Sequence, residues 1–76
     1  MDSVTFVSIY LQGSTFPLSN KVALRYDSKK ESPEQVALEF FQEQIKDYKR
    51  PFGSNLYYYE IYEREDDKFV LIYCSL

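Results

Sequence analysis

Histidine and tryptophan are absent, cysteine occurs once and glycine twice, and each scarcity removes a class of chemistry. Without imidazole there is no Ser-His-Asp or Cys-His catalytic arrangement and no His-containing zinc site. A single thiol, Cys74, cannot close a disulfide within the chain or build a Cys-rich metal centre, and it fits a reducing compartment better than a secreted one. With no basic residue close to it in sequence, Cys74 is expected to pack in a strand as a small hydrophobe. Gly13 and Gly53 stand alone, so neither opens a phosphate-cradling loop of the P-loop or dinucleotide type.

Long apolar runs are also missing. The opening MDSVTF has no basic region followed by an apolar stretch of signal-peptide length. Nothing further along approaches the roughly 18 apolar residues of a membrane span. The expectation is a soluble cytoplasmic protein. Positive charge is in short supply, with 9 Lys plus Arg against 12 Asp plus Glu and a net charge of −3. That balance argues against a generic electrostatic nucleic-acid binder and is too modest for a nucleic-acid mimic.

What is abundant is aromatic surface. The 76 residues hold six Phe and eight Tyr, and four of those tyrosines fall in NLYYYEIYERE, Asn55 to Glu65. One small domain, residues 1–76, is expected, and its large side chains compensate for a chain too short to bury much surface. Ser3–Leu11 and Lys21–Asp27 alternate as strands, separated by a loop-forming QGSTFPLSN. Ser32, Pro33 and Glu34 mark a helix start, and Val36, Ala37, Phe40, Phe41, Ile45 and Tyr48 repeat at helical spacing. Lys46, Lys49 and Arg50 suit the helix end, and Pro51 with Gly53 stops it. Asn55–Arg64 and Lys68–Ser75 read as two further strands about a tight turn. The predicted fold is α+β, in the order ββαββ: a mostly antiparallel four-stranded sheet with one helix packed on one face.

One helix covers one face, so the opposite face is open to water or to a partner. Strand alternation assigns Val7, Ile9, Leu11, Val22, Leu24, Tyr26, Tyr57, Tyr59 and Ile61 to the core. Phe6, Ser8, Tyr10, Lys21, Ala23, Arg25, Tyr58, Glu60, Tyr62 and Arg64 fall on the open face. The fourth strand is apolar on both sides, and sending Phe69, Leu71 and Tyr73 outward completes an aromatic surface. The candidate partner-binding residues are therefore Phe6, Tyr10, Arg25, Tyr58, Tyr62, Arg64, Phe69 and Tyr73, a mixture of the types enriched at binding hot spots. Tyrosines on a solvated sheet face can also be purely structural, since their rings pack across strands while their hydroxyls reach water.

The acidic groups suggest less. Glu60, Glu63, Glu65, Asp66 and Asp67 gather at one hairpin end without EF-hand spacing, which reads as a solvated turn rather than a metal site. Glu39, Glu43 and Asp47 make an acidic helix stripe of the kind that faces water. No carboxylate pair is singled out by its context, so no enzymatic activity, cofactor or metal is expected. The reading that follows is a small protein-binding module, an inhibitor or adaptor acting on a larger partner or self-associating as a homodimer. Virus- or phage-encoded accessory proteins share its size and composition, an argument by analogy alone. The alternative is single-stranded nucleic-acid or nucleotide binding, with bases stacked on the same face and Lys21, Arg25 and Arg64 on phosphates.

Overall fold

The computed structural model describes residues 2–46 and 56–76. Its elements follow the order ββαββ: β1 (Asp2–Leu11), β2 (Ser19–Asp27), α1 (Pro33–Ile45), β3 (Tyr57–Glu65) and β4 (Lys68–Cys74). The four strands form one sheet in the order β2-β1-β3-β4, antiparallel at every ladder. β2 and β3 thus run the same way with β1 between them, and the chain passes from one to the other through α1, across one face of the sheet. Alternation in sequence fixes the strands, but order depends on which strands find cover. β1 and β3, which carry most of the buried side chains, take the middle.

The helix begins where its sequence provides a cap. Ser32 is extended, and its Oγ accepts from the Gln35 N–H at 3.2 Å, with Pro33 at the first helical position. Such a cap stabilises a helix by about 1 kcal/mol. Upstream, the Asp27 carbonyl accepts from the N–H groups of Lys30 and Glu31, both at 2.9 Å, turning the chain out of β2. The expected contributions of Tyr48, Lys49, Arg50, Pro51 and Gly53 to the helix end, and of Asn55 to the third strand, lie outside the described residues.

Val7, Ile9, Ala37, Tyr59 and Ile61 form the buried core, with Leu24, Phe40 and Phe41 packed against it. Thr5 is buried beside them, its Oγ1 donating to the Tyr62 carbonyl at 3.3 Å. Phe41 and Tyr59 meet with ring centroids 4.7 Å apart, which ties α1 to β3. The helix lies over β1, β3 and β2. β4 sits beyond that cover, and all seven of its residues are exposed.

Two irregularities shape the sheet. In the β1–β2 ladder the register shifts between Val7 and Ile9, so that Asn20 and Lys21 together oppose Ser8. Lys21 takes φ 50°, in the left-handed region. Ser8 is 0% exposed, and its Oγ accepts from the Lys21 N–H at 2.8 Å. That bond supplies the donor which the broken ladder leaves without a strand partner. In the β3–β4 ladder Ile61 pairs with Tyr73 but Tyr62 pairs with Leu71, making Ile72 the extra residue.

Candidate functional site

The face opposite α1 is built by alternate residues of all four strands. β1 contributes Val4, Phe6, Ser8 and Tyr10, and β2 contributes Lys21, Ala23 and Arg25. On β3 the open positions are Tyr58, Glu60, Tyr62 and Arg64; on β4 they are Phe69 and Leu71. Cross-strand pairing sets Phe6 opposite Tyr62, Tyr10 opposite Tyr58, and Arg64 opposite Phe69. Seven of the eight residues expected here are therefore on one face: Phe6, Tyr10, Arg25, Tyr58, Tyr62, Arg64 and Phe69.

Tyr73 is not among them, and its assignment is corrected. The extra residue at Ile72 reverses the alternation, so Tyr73 pairs with Ile61 and its ring lies 5.8 Å from that of Tyr59, on the helix side. The same bulge divides β4, with Val70 and Tyr73 on the helix side and Phe69, Leu71 and Cys74 on the open side. A second correction concerns Cys74, expected to be packed but found exposed near the end of this edge strand.

The aromatic rings on the open face hold one another. Tyr10 and Tyr58 stack with centroids 5.2 Å apart and an 18° interplanar angle. Phe6 meets Phe69 edge-on at 5.0 Å and 82°. Lys21 Nζ lies 4.8 Å from the Tyr62 ring centroid and 5.7 Å from that of Phe69, a cation–π arrangement. The Tyr62 hydroxyl donates to Glu60 Oε1 at 2.6 Å. Burial, then this hydrogen bond and one with Tyr10, push the Tyr62 hydroxyl well above the ordinary tyrosine range. Burial, followed by the charge of Glu60, also raises Tyr58. The centre of the face is thus a fixed, half-buried aromatic platform rather than a set of freely rotating rings.

Exposure concentrates instead toward β4. Phe69, Val70, Leu71, Ile72 and Tyr73 are each between 38% and 49% exposed, and among the described residues no strand pairs with the outer side of β4. Cations border the platform: Lys21, Arg25 and Arg64 share the open face, while the acids Glu34, Glu39 and Glu43 are exposed on the helix. The one ion pair among the described residues, Lys46 with Glu43 at 3.1 Å, is also on the helical segment. The open face also carries Glu60, and Asp2 and Asp27 fall at the same parity, so its charge is mixed.

Leu71 and the exposed Phe16 of the β1–β2 loop were not among the candidate binding residues. Leu71 carried a signal, since it shares its parity with Phe69 in a strand apolar on both sides. Phe16 stood in a polar loop sequence, and single exposed aromatics are ordinary there. At the hairpin end, Asp66 takes φ 57° and the Arg64 Nε donates to its carbonyl at 3.2 Å. Among the described residues no group of three or more Cys, Asp or Glu side chains is placed to hold a metal ion, and no helix is long and apolar enough to cross a membrane. No protein-family model, curated protein or solved structure matches the chain.

Proposed function

We propose that this chain is a non-enzymatic protein-binding module, acting as an inhibitor or adaptor by setting the open face of its sheet against a larger partner protein. The observation that carries this reading is the apolar surface that Phe6, Tyr62, Phe69 and Leu71 share on the open face, with the Tyr10–Tyr58 stack beyond Ser8 and Glu60 and with Lys21, Arg25 and Arg64 on the same face. Exposed apolar strips with a polar border are the usual anatomy of protein contact surfaces. Lys21, Arg25 and Arg64 offer contacts to carboxylates on the partner beside that surface. Rings already held by stacking and hydrogen bonds lose little freedom on binding, so more of the contact energy remains as affinity. The module needs no cofactor and works in a reducing cytoplasm, where the exposed thiol of Cys74 stays reduced.

The same geometry weighs against base stacking. Tyr10 and Tyr58 cover one face of each other, and Lys21 occupies one side of Tyr62, so part of the stacking surface is already taken. The test is capture of a partner by the immobilised chain, repeated with Arg25→Glu, Arg64→Glu and Tyr58→Ser combined, three changes that leave β4 untouched. The expected result is loss of the captured protein with the far-UV CD spectrum retained, and no binding of short oligonucleotides at low salt. Capture that survives the triple variant would contradict the reading, and salt-sensitive oligonucleotide binding would replace it with the nucleic-acid alternative.

A further inference from the structure

β2 and β4 are both edges of the sheet, with no partner strand on the outer side among the described residues, but β4 adds two properties that β2 does not share. Phe69 to Tyr73 expose apolar surface on both faces of the sheet, and Lys68 is its one charged residue. Such an edge is a template for another strand, and proteins that keep an edge free place charge on it. We propose that the β4 edge is occupied by β4 of a second copy, paired antiparallel, so that two four-stranded sheets become one sheet of eight strands.

The strand is complementary to itself. Glu65 and Lys68 close the turn at Asp66 and Asp67, and the pair closing a two-residue hairpin exchanges hydrogen bonds, so Phe69 and Leu71 turn their N–H and C=O groups away from β3. The regular pleat runs from Lys68 to Leu71, ahead of the bulge at Ile72. A two-fold axis through Val70 therefore sets Phe69 of each chain opposite Leu71 of the other, joining both backbones and both open-face side chains. The two Val70 side chains meet on the helix side, and Lys68 opposes Ile72. No charge faces a like charge in the paired segment.

Area sets the strength. At the exposures given above, Phe69 to Tyr73 leave roughly 400 Å² per chain, and pairing covers only the part turned toward the neighbouring strand, so the contact is below the roughly 1,200 Å² of stable interfaces. The dimer is therefore reversible, with a dissociation constant on the order of micromolar or weaker. The axis stands perpendicular to the sheet, so both helices lie on one side and the two open faces lie side by side on the other. The dimer doubles the face assigned above to the partner protein.

Sedimentation equilibrium of the full chain carrying Cys74→Ser, which removes the native thiol, tests the pairing. The expected result is a monomer–dimer equilibrium that Leu71→Lys weakens at least tenfold while CD shows the fold retained. Val70→Cys in the Cys74→Ser background is expected to form an intermolecular disulfide under mild oxidation, because directly opposed non-hydrogen-bonded residues have the Cα spacing a disulfide requires. Arg25→Cys, on the opposite edge, is expected to stay unlinked. A chain that is monomeric at every concentration, or a dimer indifferent to Leu71→Lys, overturns the proposal, and failure of Val70→Cys to cross-link overturns the register. A strict monomer that still captures a partner through the open face overturns the self-pairing alone.

Discussion

Along β2, one border of the sheet, Lys21, Arg25 and Asp27 interrupt the apolar residues, and a bulge opposite the buried Ser8 breaks the ladder. Along β4, the other border, five apolar residues run from Phe69 to Tyr73 with no charge among them. The helix adds to the contrast, since it packs mainly on β1, β2 and β3. An edge strand that carries charge and irregular pairing resists the addition of another strand, whereas an apolar one invites it. A strand can thus be finished by its own sequence or by what binds to it, and the two borders of this sheet represent the two cases.

The largest change comes from removing the support that both borders share. Ile61 is fully buried between them, and Ile61→Ala is expected to cost about 2 to 5 kcal/mol of stability, read as a lower urea midpoint with an unchanged slope. Next comes the lock on the charged border. Ser8→Ala leaves the Lys21 N–H without its acceptor, at a cost of about 1 to 3 kcal/mol. Its self-association, read by sedimentation, is expected to be unaltered. Stability losses at the β2 border with association intact would confirm that the two borders do different work.

A smaller effect appears at high pH. The hydroxyls of Tyr58, Tyr59 and Tyr62 are all raised above the ordinary tyrosine value of 10.0. For Tyr59, burial leads, followed by the neighbouring Tyr73. The folded chain therefore holds protons that the unfolded chain releases, and the associated stability is complete below the unfolded value and lost as pH rises through the folded ones. Thermal melts followed by CD are expected to hold level to the ordinary tyrosine range and then fall. Tyr62→Phe should lessen the fall, whereas tyrosines that ionise at the ordinary pH with the fold intact would contradict the platform. Arg25→Leu is expected to change stability least, within about 0.5 kcal/mol, because the guanidinium is on the surface; its effect should be to move β2 toward the stickiness of β4.

Most of the fold can be read from residue order. Ser32 and Pro33 announce the helix, and the parity of Tyr57, Tyr59 and Ile61 against Tyr58, Glu60 and Tyr62 separates the two faces of β3. Strand order is not legible, because antiparallel strands joined by a helix can sit in several orders with the same apolar parity. The bulges escape for a related reason. Ile72 is an ordinary strand residue with apolar neighbours on either side, so nothing local marks it as extra, yet it moves Tyr73 to the helix side and leaves Phe69 and Leu71 in place. Ser8 reads as a small polar residue on an open face, and its burial follows only from the Asn20–Lys21 bulge. Parity thus places seven of the eight candidate residues on one face, but the tyrosines chosen for density are largely held by one another, and the most exposed apolar surface of the sheet is on the strand whose two sides could not be told apart.

Amide hydrogen exchange, followed residue by residue at low and high protein concentration, measures the difference between the borders directly. The account predicts that the N–H groups of Phe69 and Leu71, pointing away from β3, exchange freely in dilute solution and become protected as concentration rises, while outward amides of β2 exchange at one rate throughout. Equal, concentration-independent exchange at both borders, or protection appearing along β2 instead, would contradict it.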